Sequence, residues 1–127
     1  MKKASLLVLL LINTAASFAQ LDMHKNAIDT FLVNYNNNDF EKIYQSFSTK
    51  MQHAHSRTYY FEFFSRVKKG SGSLLSTELL DYRENVQNKS QARYTGIFEN
   101  GNCTIKITMN GQNKIIGLYI LKDKNFM

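Results

Sequence analysis

The 127 residues carry 16 Lys and Arg against 10 Asp and Glu, with one Cys and no Pro or Trp. A single cysteine excludes an internal disulfide, so stability has to come from an apolar core. Beyond Lys2-Lys3 the basic residues are scattered singly apart from Lys68-Lys69, whereas a nucleic-acid binder concentrates them on one stripe or helix.

Met1 to Ala19 holds two lysines, an apolar run from Leu6 to Ile12 and small residues at Ser17 and Ala19. This is the pattern of a secretory signal peptide cleaved near Ala19, and it implies a periplasmic or secreted product. The run is shorter than the roughly 20 residues that span a bilayer, so no membrane span is expected. No cysteine follows to accept a lipid. Loss of Lys2 and Lys3 takes the basic count from 16 to 14 against 10 acids, a mild net charge of +4. Residues 20–127 then suit one domain with one core.

In chain order, Asp22 can cap a first helix on which Ile28, Phe31, Leu32 and Tyr35 recur at helical spacing. Asn38 with Glu41 three residues later resembles a capping box, opening a second helix with Phe40, Ile43, Tyr44 and Phe47 on its apolar face. Ser46 to Arg57 is polar and irregular. A third helix is expected from about Arg57 to Lys69, carrying Tyr60, Phe63, Phe64 and Val67 on one side and stopped by Gly70-Ser71-Gly72. Tyr59 and Phe61 exceed what that face can bury and suggest an interface or ligand groove.

Four strands follow. Ser73 to Tyr82 is the first, and a polar loop, Arg83 to Ser90, leads into Gln91–Phe98. Asn100-Gly101 supplies a tight turn, after which Cys103, Ile105, Ile107 and Met109 alternate with Thr104, Lys106 and Thr108. Cys103 shares the apolar face, which makes it an inert core thiol. Asn110-Gly111 repeats the turn chemistry before Ile115–Leu121, whose nearly continuous apolarity places it centrally in the sheet. Three helices followed by four antiparallel strands define an α+β fold. A sheet bent around its helices would leave a concave mouth for a ligand.

The segments Asn37-Asn38-Asp39-Phe40-Glu41-Lys42-Ile43-Tyr44, Gly70-Ser71-Gly72-Ser73-Leu74, Phe98-Glu99-Asn100-Gly101 and Lys114-Ile115-Ile116-Gly117-Leu118 resemble a secreted bacterial domain of unknown function. That domain is often N-terminal to serine hydrolases. The order of elements is similar to the nuclear transport factor two-like, or cystatin-like, cone superfamily, which includes scytalone dehydratase and ketosteroid isomerase. The resemblance implies a cone-like fold with three N-terminal helices on a curved four-stranded antiparallel sheet. It supplies no motif onto which catalytic residues can be carried. With no hydrolase following Met127, an accessory role would act in trans.

Tyr44, Tyr60, Phe64, Tyr82, Tyr94 and Phe98 are the residues expected to line the mouth. Asp81 is the candidate general base, on condition that burial raises its pKa, with Tyr82 and Tyr94 as donors to an oxyanion. His53-Ala54-His55 has no companion ligand at metal-site spacing and reads as a surface pair. No catalytic residue, metal ligand or cofactor is assigned. The expected function is a secreted, non-enzymatic binding or accessory module for a small apolar ligand or a protein partner. The alternatives are a small hydrolase, isomerase or lyase, and a structural homodimer joined through the outer sheet face.

Overall fold

A computed structural model describes residues 20–85 and 87–123. The expected signal peptide, Met1 to Ala19, lies outside them. Four helices precede the sheet: α1 (20–36), α2 (Phe40–Gln45), α3 (Thr49–Ala54) and α4 (Arg57–Ser71). The strands are β1 (Leu74–Glu84), β2 (Ser90–Phe98), β3 (Gly101–Met109) and β4 (Ile115–Lys122), antiparallel and ordered as in the chain.

Serines explain the helix that the sequence reading missed. Ser48 accepts from the Met51 backbone at 3.2 Å to open α3, and Ser56 accepts from the Tyr59 backbone at 3.1 Å to open α4. Each satisfies a first-turn N–H that has no partner within the helix. The α2 cap is Asp39, not Asn38, which sits at φ 58 in the turn before it. Residues 20 and 21 are already helical, so Asp22 does not cap α1.

The end of α1 is fastened by side chains from distant sequence. Lys68 donates to the Tyr35 and Asn36 carbonyls at 3.2 and 2.6 Å, and to Asn38 Oδ1 at 2.7 Å. It thereby occupies two of the last α1 carbonyls. The Asn36 amide exchanges two hydrogen bonds with the Leu74 backbone, and the Tyr35 hydroxyl donates to the Gly72 carbonyl at 2.7 Å. Helix α1 is thus tied to the junction of α4 and β1.

One sheet face is apolar by parity. Ala92, Tyr94 and Phe98 of β2 and Cys103, Ile105, Ile107 and Met109 of β3 are buried, while the residues between them are half-buried. They share a core with Ile28, Phe31 and Tyr35 of α1, Ile43 and Phe47 around α2, and Tyr60 and Phe64 of α4. Edge-to-face and tilted ring pairs fill it, with Phe47 and Tyr60 at 5.1 Å and Phe40 and Phe64 at 5.6 Å.

The two longer hairpin loops have the same chemistry. In 85–89 and again in 110–114, the first Asn accepts from the backbone N–H groups two and four residues on. Asn88 and Asn113 take φ 57 and 62. The Asn-x-Gln-Asn-Lys pattern recurs in both loops. Positive φ in the second loop therefore falls on Asn113, not on Gly111. A Cβ at Gly111 would come within 3.4 Å of Asn88, so the two loops lie side by side.

Strand β4 is an edge strand, not a central one. Its apolar character has another cause. Leu118 and Ile120 turn toward the helices but are only half-buried, and Tyr119 and Leu121 on the opposite face are more than half exposed.

Candidate functional site

The helical layer packs over β2 and β3 and meets β4 at its start, where Phe47 bridges Ile115 and the Ile115 backbone hydrogen-bonds to Ser46 and Ser48; farther along β4 a gap remains. The gap is a groove of about 380 Å³, with Leu118 and Ile120 on its strand side and Met51, Tyr59 and Phe63 on its helix side. This lies within the size range of small-molecule sites. Residues 59, 63 and 67 share a helical stripe facing β4, and the His55 ring extends that side by stacking on Tyr59 at 4.0 Å. The Tyr60 hydroxyl donates to the Met51 carbonyl and holds α3 against α4.

The groove continues past Phe63 and Ile120 into a second hollow of about 310 Å³. Here the lining changes to Arg66, Val67, Gly70 and Lys122, with Cys103 at the bottom. Burial pushes the Cys103 thiol up, so it carries no charge at neutral pH. A separate cavity of about 250 Å³ lies between α1, α2 and the β3–β4 end, bordered by Asn34, Ile43 and Asn113. It is smaller than the groove.

The six residues expected around a mouth do not meet in one cavity. Tyr60 and Phe64 reach the groove, although both are mainly core side chains. Tyr44 stands behind Tyr60, its hydroxyl donating to the Gln52 carbonyl and its ring carrying the Arg57 guanidinium at 4.9 Å. Tyr94 and Phe98 are buried on the inner face of β2. Tyr82 is at the other end of the sheet, where its hydroxyl donates to Glu84 at 2.9 Å. Burial first, then Glu84, pushes its phenol up to about 12. Burial also raises Tyr94 to about 12.

Asp81 points to the outer sheet face, where Arg93 grips its carboxylate through Nε and Nη2. These hydrogen bonds hold it below the usual carboxylate range, the opposite of the shift a general base requires. His53 is on α3 and His55 just beyond it, both exposed. Among the described residues no three His, Cys, Asp or Glu side chains come together as a metal-binding group.

His24 carries no sequence motif, yet it is fully buried. Its Nε2 lies 2.7 Å from Ser90 Oγ, and the Tyr82 ring packs edge-on at 5.5 Å. Its Nδ1 has no partner among the described residues. Burial lowers its pKa. Ser90 is itself buried, so the pair has no access to substrate and reads as a polar tie between α1 and β2.

An α+β protein with a sequential antiparallel sheet, a filled aromatic core and an apolar groove along its last strand defines the structural class. The chain belongs to the family described as protein of unknown function (DUF3887), whose model matches residues 29–118. The match runs from α1 into β4 and so includes the helical wall of the groove and Leu118, but not Ile120. Comparison with curated proteins and with solved structures gave no match. No described helix is long and apolar enough to cross a membrane.

Proposed function

We propose that this chain is a secreted, non-enzymatic binding or accessory module whose working surface is the groove between α4 and β4. The observation that carries the reading is the half-buried state of Leu118 and Ile120 opposite Met51, Tyr59 and Phe63. Here apolar side chains from two elements face each other across open space. An apolar lining with few charges suits a small apolar ligand.

The reading includes a signal peptide cleaved near Ala19 and one domain over 20–127. It also places the fold with the cone-like, nuclear transport factor two-like superfamily, the groove being the cone's opening displaced toward the sheet edge. No acid lines the groove, which favours binding over an acid–tyrosine reaction. An uncharged naphthylamine fluorophore tests the reading. Its emission should rise on titration into the wild-type protein, and Ile120→Trp, which fills the groove, should weaken binding at least about tenfold. A flat titration would exclude an apolar site.

The outer sheet face supports a second reading, a homodimer. Tyr119 and Leu121 are exposed there beside Thr104 and Lys106, which stands over the Tyr119 ring at 5.2 Å. The outer sheet face of a second copy packed against this one would cover them. Light-scattering mass across a hundredfold dilution distinguishes a dimer from a monomer.

A further inference from the structure

The groove is apolar along most of its length and cationic at one end. The α4 stripe runs from Tyr59 through Phe63 to Arg66 and Val67, and the inner side of β4 runs alongside from Leu118 through Ile120 to Lys122. Both elements therefore change from apolar to basic in the same direction, and Phe63 and Ile120 belong to both hollows. Neither Arg66 nor Lys122 has an ion-pair partner among the described residues.

Two acids lie near this end, Asp123 close enough to act on Cys103, but neither pairs with Arg66 or Lys122 among the described residues. Asp123 follows Lys122, but its carboxylate accepts from the Thr104 hydroxyl on the outer face at 2.9 Å. Glu62 lies one turn before Arg66 on α4 and makes no ion pair with it. The negative end of α4 lies at Gly70, where it is exposed and screened by solvent and salt.

We infer that the groove takes an amphipathic anion, a fatty carboxylate in chemical class, with its hydrocarbon chain between α4 and β4 and its head group at Arg66 and Lys122. This rests on the groove being a binding site and adds the charge and orientation of what binds. The hydrocarbon chain covers Leu118, Ile120 and Phe63, and the carboxylate supplies a counter-charge that the described residues do not. A recess with its cations at one end accommodates a single molecule; a bilayer surface would require a broad basic face.

Calorimetric titration of the full chain with dodecanoate, 1-dodecanol and dodecyltrimethylammonium, each below its micellar concentration, tests this. Dodecanoate should bind about five- to tenfold more tightly than the alcohol, the scale of exposed ion pairs, and the ammonium more weakly than either. In Arg66→Gln/Lys122→Gln the carboxylate should fall to the alcohol's affinity, with the alcohol unchanged. Both side chains are exposed, so the variant keeps its fold. Equal binding of all three ligands would overturn the anion inference and leave the apolar groove standing. Binding of none would remove the groove itself. A preference for dodecanoate that survives in the variant would place the head group elsewhere and overturn the orientation. Co-sedimentation with anionic phosphatidylglycerol vesicles, abolished in the same variant, would reassign the cations to a membrane surface.

Discussion

At Gly72 the backbone takes φ 79 and ψ −160, a region essentially reserved for glycine, so that α4 can turn directly into β1. A Cβ there would also lie 2.9 Å from the Cβ of Glu99, whose carboxylate accepts from the Ser73 backbone at 2.6 Å. That hydrogen bond holds Glu99 below the usual carboxylate range. Gly72→Ala meets backbone strain and crowding together and should cost about 1–3 kcal/mol. Urea unfolding should show this as a lower midpoint with an unchanged slope.

His24 produces a different effect, visible only as pH changes. In the unfolded chain its imidazole takes up a proton near pH 6.5, whereas in the folded protein burial resists that proton until a lower pH. Below about pH 6.5 the unfolded state therefore binds more protons, and stability falls as pH falls until the folded group also titrates. Tyr82 and Ser90 surround the ring and remain uncharged there; Glu84 is reached only through the Tyr82 hydroxyl. Unfolding free energy should drop by up to about 1.4 kcal/mol per pH unit in this window. In His24→Gln that slope should disappear. Asp81 and Glu99, both held low, act only at more acid pH, where their stabilisation is lost as they protonate.

At the scale of elements, legibility followed the strength of the local period. The alternation from Cys103 to Met109 gave the buried face of β3, since one face meets the core and a single-residue slip would invert it. The aromatic stripe of α4 was equally plain. Helix α3 was not, because its six residues bury no side chain fully and so print no apolar period. Its one signal was Ser48, three residues before the N–H it caps, with Ser56 opening the next helix in the same way. Strand β4 misled for a physical reason. A continuous apolar run is ordinarily a central strand, but here the inner half lines a groove and the outer half is exposed at the edge. The groove itself was half legible: Tyr59 marked an excess of aromatics on α4, whereas Phe61, read with it, packs against Phe40 away from the groove, and nothing marked Leu118 and Ile120 as the facing wall. That pairing depends on where the helical layer ends, which is a property of packing and not of either segment.

For the molecule as a whole, every strand pairs with its neighbour in sequence, through loops of 85–89, 99–100 and 110–114. The ties that fix α1 span far more chain: His24 to Ser90 is 66 residues and Asn36 to Leu74 is 38. Closing short loops loses little entropy before contacts form, whereas α1 can dock only on a surface already assembled. The order of the ladder thus implies an order in time. Hairpin β2–β3 should nucleate folding and α1 should arrive late, so that Ile107→Val slows folding with a φ-value above about 0.5 while Ile28→Val chiefly speeds unfolding, with a value below about 0.3. Buried His24 rides on that late-docking helix, so the element last to arrive is also the one that mild acid loosens first. The groove, built from α4 and β4 without any α1 side chain, would keep its walls while α1 detaches.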